Sequence, residues 1–448
     1  MHNTVTHEAS VIFGLDPTWV AVTILLVVYG IIMAEKFNRA VLALLGAGLM
    51  VLCGVITQQQ AVAGIDFNTI GLLTGMMVIV TISQKTGMFQ YVAIKAAKAV
   101  KGSPWGILVM LSIVTAVFSA FLDNVTTVLL IAPVTLLITE ALGVRPYPYL
   151  FAQIFASNIG GASTLIGDPP NIMIGSAANL SFMDFIVNLA PITPLIFLLT
   201  LAVVWFMFGR DLTASQEKRD LIMQFDENEA LKDIPLLKKC LFVLFAVIAG
   251  FSVAHSFHLE PATIAMFGAA ALLLLQTYGE PVHDKDHAYE KVMADVEWTT
   301  IFFFVGLFII VTGVEHTGVI AMLGEKVIEL TDGDFNATVG AVLWVSAIAS
   351  ALIDNIPFVA TMIPLVQSMA PTFGGAEAIE PIWWALALGA CLGGNGSLIG
   401  ASANLIVAGF AQRAGHPIYF LQFMKHAFLL MIISIAVSHI YLYLRYLS

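Results

Sequence analysis

Charge is scarce in this chain: only 11% of its 448 residues are Asp, Glu, Lys or Arg, whereas 59% are hydrophobic. Soluble domains carry about 25% charged residues, so this composition excludes an ordinary soluble fold and predicts an integral membrane protein. Cysteine is nearly absent. Cys53, Cys240 and Cys391 lie far apart, fit no zinc or redox spacing and predict no disulfide. No Gly-x-x-x-x-Gly-Lys-Ser/Thr segment occurs, so primary pumping would need a separate ATPase partner. The net charge of −11 argues against a nucleic-acid partner. Residues 1–16 show no basic region, apolar core and cleavage site, so no secretory signal is expected there.

What the chain does have is repetition. Leu122-Asp123-Asn124-Val125 recurs 231 residues later as Ile353-Asp354-Asn355-Ile356. Behind each copy comes a glycine-rich piece, running from Ile159 through Gly167 to Asn171 and from Leu392 through Gly400 to Asn404. Thr69-Ile70, Gly75 and Thr86-Gly87 match Thr300-Ile301, Gly306 and Thr317-Gly318 at that same offset of 231, which becomes 233 in the glycine-rich pieces. Such internal repetition in an apolar chain predicts a two-fold transporter with its ion site where the halves meet.

Apolar stretches long enough to cross a bilayer, roughly 17–25 residues, are read in the first half at 19–33, 40–57, 68–83, 149–179 (broken by the glycines) and 185–208. In the second half they are read at 241–256, 262–277, 299–313, 383–410 (again broken) and 418–443. Each half also holds an apolar pair, 105–121 with 125–142 and 342–352 with 356–369, that turns at its Asp-Asn and predicts a re-entrant helical hairpin; full crossings are the alternative. Segments 89–100 and 319–330 are expected to be amphipathic helices at the membrane surface. Five crossings per half is an odd number, so the second copy must be inverted.

Basic residues test this orientation. With both termini outside, 17 of the 19 Lys and Arg residues fall on inner segments, and only Lys326 and Arg445 fall outside. The predicted organisation is therefore a first repeat over 1–209, a cytoplasmic linker over 210–239 and an inverted repeat over 240–448, in the cell (inner) membrane. The hairpin tips lie near 123 and 354, and the helix breaks at 158–171 and 391–404.

A carboxylate inside a span costs about 2.5–3.5 kcal/mol on insertion scales, and Asp123 and Asp354 carry that cost at equivalent places. Carboxylates in apolar surroundings bind a cation or take up a proton; the alternative is that each Asp only caps its returning helix. Asn124 and Asn355 offer donors and acceptors for an oxyanion, a neutral hydroxide or a cation, or else form the turn. Gly160, Gly161, Gly167, Gly393, Gly394, Gly396 and Gly400 would be costly in a continuous helix, and Pro169-Pro170 removes two donors. A break there exposes half-helix termini that favour ligands, while close helix packing through small residues is the other reading. Thr126, Asn158, Ser163, Thr164, Asn171, Asn395, Ser397 and Asn404 add polar side chains. Asp168 has no acidic counterpart, since position 401 is Ala; it is read as an asymmetric coupling group or a cap.

Weaker candidates are read structurally. His316, next to Glu315, is expected at the membrane edge, His283 and His287 in a solvated loop, and Cys391 as a small packing residue, with contact to a thiophilic metalloid as the alternative.

The segments Phe118-Ser-Ala-Phe-Leu-Asp-Asn-Val-Thr-Thr127 and Asn158 through Asn171 strongly resemble the ion transporter superfamily, and within it the ArsB/NhaD group with its P-protein (pink-eyed-dilution) branch. The resemblance spans nearly the whole chain. It implies an all-α polytopic fold of two inverted five-helix repeats, each with a re-entrant hairpin and an unwound helix. It further implies a scaffold that can form a homodimer and an elevator-like transport motion. Substrate or ion binding is carried over to Asp123, Asn124, Thr126, Asn158, Gly160, Gly161, Ser163, Thr164, Asp168, Asn171, Asp354, Asn355, Gly394, Asn395, Ser397 and Asn404. Sodium–dicarboxylate members resemble Ser-Asn-Thr at the tips, whereas this chain has Asp-Asn, as do sodium/proton exchangers of the group.

The leading expectation is a secondary transporter driven by the proton motive force that exports arsenite or antimonite, with H⁺ or Na⁺ as coupling ion and no other cofactor. Sodium/proton exchange and transport of an inorganic or dicarboxylate-like anion are the alternatives, and a passive channel is a third. Intramembrane aspartyl proteolysis is disfavoured because its Tyr-Asp and Gly-x-Gly-Asp signatures are missing.

Overall fold

Every regular element among the described residues is a helix. The computed structural model describes residues 11, 14–34, 36–278 and 282–448, with the side chains of 282–287 outside the description. The first half runs α1 (Pro17–Met33), α2 (Arg39–Leu52), a short α3 (Gln58–Ala63), α4 (Phe67–Lys85), α5 (Met88–Ala99), α6 (Pro104–Phe121), α7 (Asn124–Leu142), α8 (Tyr147–Gly161), α9 (Pro169–Ala178), α10 (Phe182–Asn188) and α11 (Thr193–Val204). After α12 (Gln216–Met223) in the linker come α13 (Ile234–Ala254), α14 (Pro261–Thr277), α15 (Val282–Asp295), α16 (Trp298–His316), α17 (Val319–Leu330), α18 (Phe335–Leu352), α19 (Asn355–Met369), α20 (Glu380–Gly393), α21 (Ser402–Arg413) and α22 (Phe420–Leu442).

Eight helices among the described residues are long and apolar enough to cross a membrane, or nine if α10 and α11, bent by 54°, count as one span. The shorter apolar helices α1, α2 and α14 add to these. The chain is a multi-pass membrane protein. Both predicted pairs are helical hairpins turning at residues 122–123 and 353–354, and both glycine-rich pieces interrupt a span, between α8 and α9 and between α20 and α21.

Local chemistry explains the boundaries. Asp16 accepts from Thr18 N (2.7 Å) and Asp66 from Asn68 N (3.0 Å), each capping the helix that follows. Gly87 and Gly318, at φ +80° and +78°, turn the chain sharply from α4 into α5 and from α16 into α17. Only glycine adopts that left-handed geometry at no steric cost, which is why the Thr-Gly pair recurs in the sequence.

The two halves interlock through matched crossings: α4 packs along α14, and α16 packs along α2. A Cβ on Gly75 would lie 2.6 Å from the Ala265 carbonyl carbon, and one on Gly306 would lie 2.5 Å from that of Ala43. Backbones approach this closely in membranes through small residues, which gain van der Waals contact where burial from water gives no drive. Within each half the outgoing hairpin helix lies along the broken span, α6 on α8 and α18 on α20, while the returning helices α7 and α19 cross to α21 and α9 of the other half.

One sequence reading changes. The segment around His283 and His287, expected as a solvated loop, contains helix α15; the histidine side chains themselves lie outside the described residues. Within the 210–239 linker lie α12 and a 3₁₀ turn over Glu227–Ala230. Its amphipathic and acidic character conceals short helices that dock on α5 and α7. Glu315 and His316 are exposed at the end of α16, and the three cysteines are free.

Candidate functional site

The helix breaks are built twice from the same bonds. Asn171 Nδ2 donates to the carbonyls of Gly161 (3.3 Å) and Thr164 (2.9 Å); Asn404 Nδ2 donates to the equivalent carbonyls of Gly394 and Ser397 (both 2.8 Å). Ser119 Oγ reaches the Ser157 carbonyl (2.6 Å) and Ser350 Oγ that of Ala390 (2.7 Å). Thr164 and Ser397 hydroxyls donate to the carbonyls of Ala120 and Ala351, pinning each loop to its hairpin. Ser163 donates to the Gly160 carbonyl. The Asn171 and Asn404 amides satisfy carbonyls that the interrupted spans leave open, and Thr164 and Ser397 cap carbonyls at the ends of α6 and α18; an unpaired buried polar group costs about 1–3 kcal/mol.

The glycines have a separate reason. A Cβ on Gly160 would sit 2.2 Å from Ala116 O, and one on Gly393 would sit 2.6 Å from Ala347 O. Close packing and the break, read as alternatives from sequence, are therefore both realised: Gly160 and Gly393 allow hairpin contact, whereas Gly161 and Gly394 let the loop fold back, since a Cβ on either would meet Gly167 O at 2.6 Å or Gly400 O at 2.8 Å.

Where the repeats meet, side-chain amides form one connected net. Asn124 Nδ2 donates to Asn158 Oδ1 (3.2 Å), and Asn158 Nδ2 lies 3.0 Å from both Asn395 Oδ1 and Asn404 Oδ1. The mirrored contact, at the position where the second repeat has Cys391 instead of Asn158, is Cys391 Sγ donating to Asn171 Oδ1 (3.4 Å). Asn124 Oδ1 and Asn395 Nδ2 are buried and have no hydrogen-bond partner among the described residues. One free acceptor and one free donor thus remain within the net, and unmet groups of this kind in a native interior call for an explanation such as a bound ligand.

Three carboxylates surround it. Asp123 caps α7, accepting from Val125 N (2.8 Å), Thr126 N (3.1 Å) and the Thr126 hydroxyl. Asp354 takes a cap bond from Ile356 N (3.1 Å) but turns its other oxygen to Ser402 Oγ (2.9 Å) and Arg39 Nη1 (3.3 Å). Asp168 precedes α9, yet its side chain makes no cap bond, which overturns the capping reading. Instead it is fully buried and lies 3.4 Å from Asn355 Nδ2 across the repeat boundary, within electrostatic reach of both Asp123 and Asp354. The tips therefore meet around one polar centre.

Sequence reasoning missed Arg39, counted only as an inner-face basic residue, together with Glu297 and Tyr29. All three line a cavity of about 280 Å³ that also touches Asp354 and Ser402. Repeat position offered one signal for Glu297, which matches Asp66 at the offset of 231. A second cavity of about 180 Å³ lies among Asn68, Ser176, His255, His258 and Glu260. Among the described residues no group of His, Cys, Asp and Glu is arranged to hold a metal ion.

Comparison with known proteins places this architecture. The family model described as "Citrate transporter" (CitMHS) matches residues 29–389. The chain belongs to the CitMHS family. An uncharacterized transporter of Mycobacterium tuberculosis is 44% identical over 431 residues, covering 95% of this chain and 98% of that one. P protein of Sus scrofa is 36% identical over 506 residues, covering 94% of this chain and 59% of P protein, so the chain spans little more than half of that longer relative. The YdaH transporter of Alcanivorax borkumensis shares the fold, with a TM-score of 0.59 at 13% identity over 96% of this chain and 98% of that one. This CitMHS member is a membrane transporter, not an enzyme. The expected likeness to P proteins is found; the narrower arsenite–antimonite group finds no support in these relatives.

Proposed function

We propose that this chain is a secondary transporter coupled to H⁺ or Na⁺, with the coupling ion carried by Asp123, Asp168 and Asp354. The observation that carries this reading is the gathering of three carboxylates from both repeats around one amide net, where the one guanidinium in contact among the described residues, Arg39, is already paired with Asp354. A site with this excess of negative charge favours cations, because like charges at close quarters in a low-dielectric interior repel strongly. The Asn124 carbonyl oxygen and the carboxylates supply the hard oxygen ligands that Na⁺ prefers, and a carboxylate alone suffices for H⁺.

Cation exchange fits this centre best. A second reading, carboxylate transport, is favoured by the description of the matching family model; here a carboxylate cargo would enter with the cation that offsets the site's charge. Arsenite or antimonite export would have to rest on hydroxyl contacts to the amides, since Cys391 is the only thiol at the site and its Sγ is engaged with Asn171. We place the Arg39 end of the molecule on the cytoplasmic side and both termini outside, as the Lys and Arg distribution directs. In this reading hairpins and broken spans form the carrier, α2, α4, α14 and α16 form the frame, and the carrier moves in an elevator-like manner within a homodimer in the cell membrane.

The test is reconstitution in vesicles with an imposed pH gradient, comparing Na⁺, citrate and arsenite. Na⁺-dependent dissipation of the gradient is expected. Citrate-dependent dissipation without a Na⁺ effect would favour the second reading, arsenite dependence would restore metalloid export, and gradient-independent flux of any of them would reject coupling altogether.

A further inference from the structure

Arg39 occupies a place where a basic residue is unfavourable. It is the first residue of α2, and a cation at a helix N-terminus faces the positive end of the macrodipole. Helix stability therefore does not explain it. Its guanidinium is nevertheless firmly held from the α16 side, where Nη2 donates to Thr300 Oγ1 (3.2 Å) and the carbon lies 5.1 Å from the centre of the Phe303 ring. The other terminal nitrogen, Nη1, reaches out to Asp354 Oδ2 (3.3 Å) and the Ser402 hydroxyl, on hairpin 2 and the broken span respectively. One side chain thus bridges the α2–α16 pair and the second hairpin tip, 315 residues away in sequence.

Among the described residues the first repeat has no such bridge. Asp123 is satisfied by its own helix and Thr126, and α14, which mirrors α2 in packing along α4, opens with Pro261. The guanidinium, like Asp168 with Ala401 at its equivalent position, is a charged group without a counterpart in the other repeat. It stands at the wall of the cavity that reaches Asp354, so a cation arriving there meets a carboxylate already occupied.

We propose that Arg39 is a built-in counter-ion that competes with the transported cation for Asp354, and that binding from the 280 Å³ cavity requires the guanidinium to give up that carboxylate. The proposal rests on the cation-coupled reading above and deepens it by naming the residue that sets affinity at one tip. Displacement frees Arg39 to stay with Thr300 and Glu297, whose carboxylate lies within electrostatic reach. The groups facing Asp354 are then Arg39, Ser402, Tyr29 and Glu297 around the cavity, with Asp168 behind. The contact between frame and hairpin loosens as the ion binds, so occupancy and release of the second hairpin become one event.

The experiment titrates Na⁺ against purified wild type, Arg39→Gln, Arg39→Lys and Asp354→Asn, reading thermal unfolding in detergent and gradient-driven flux in vesicles. Arg39→Gln is expected to lower the half-saturating Na⁺ about tenfold in both readouts, with a lower maximal flux because release slows. Arg39→Lys, which keeps charge but loses the forked donor geometry, should fall between. Half-saturation that is unchanged or raised in folded Arg39→Gln overturns the proposal, since a residue that merely packs the hairpin would change maximal flux alone. If wild type shows neither Na⁺- nor H⁺-coupled flux, the transport reading falls, while unfolding temperatures still decide the pair. Non-additive losses for Arg39→Gln and Asp354→Asn combined support the counter-ion, and additive losses reject it.

Discussion

The two hairpin tips carry the same Asp-Asn pair but hold it differently. At the first tip the carboxylate is turned onto its own helix, capped by two backbone N–H groups and Thr126. At the second tip a single backbone bond remains, and the other oxygen is committed to Ser402 and Arg39. The breaks behind the tips, by contrast, share three matched pairs of bonds: Asn171 with Asn404, Thr164 with Ser397, Ser119 with Ser350. The repeat preserves what holds the backbone and diverges in what handles charge. A fold that must break two helices inside a bilayer has few ways to satisfy the freed carbonyls, whereas ionisable groups can be redistributed once the scaffold stands.

That contrast can be pressed hardest at Asp168, the acid without a twin. Asp168→Asn should reduce coupled flux by 100-fold or more while the protein stays folded, because Asn keeps the shape and still meets Asn355; flux within threefold of wild type would remove this acid from the mechanism. The next comparison pairs Asp123→Asn with Asp354→Asn. Both should impair coupled flux. Only Asp354→Asn removes the carboxylate in direct contact with a partly buried guanidinium, so it should cost up to about 3 kcal/mol in chemical unfolding, against under 1 kcal/mol for Asp123→Asn, where Asn caps nearly as well as Asp. Equal losses would show that the tips are energetically alike.

Gly160→Ala and Gly393→Ala compare the matched scaffolds. Both should destabilise by about 1–3 kcal/mol through overpacking, Gly160→Ala more, since its Cβ would approach a carbonyl oxygen at 2.2 Å rather than 2.6 Å; the melting temperatures measure it. The smallest effect is expected in the linker, where the Lys98 ammonium holds the Glu227 carboxyl below its ordinary range. Stabilisation by this pair is present above the ordinary carboxylate range and is lost as pH falls through the lowered value. Glu227→Gln should therefore lower the melting temperature slightly at pH 7 and not at pH 3.

Much of the architecture was legible in the sequence because duplication supplied an internal reference. The offset of 231 aligned both hairpins, both Thr-Gly turns and the crossing glycines Gly75 and Gly306, and the hydrophobic lengths did the rest. Amphipathic α5 and α17 fell within a residue of the expected 89–100 and 319–330. At the site, the chosen residues do come together, but in divided tasks: Asn171, Ser163, Thr164 and Ser397 spend their donors on backbone carbonyls, and Asn124, Asn158 and Asn395 form the net. Arg39 escaped notice because pattern along a chain reports local periodicity, not a partner hundreds of positions away, and its basic charge was already explained by topology. Asp168 was found but its side-chain direction was not, since a residue before a helix looks like a cap whichever way it points.

The linker carries one more consequence. Its backbone bonds to the first repeat through Lys232 N and Thr86 O (3.0 Å), and a Cβ on Gly87 would meet Ala230 O at 1.7 Å, while its twin Gly318 has nothing within 4 Å. The seam that joins the duplicated halves thus buttresses the Thr-Gly turn of one half and not that of the other. Two separately expressed half-chains would not be interchangeable, and a fluorescent reporter inserted after residue 318 should be accommodated where one inserted at 230 would pry the first half apart.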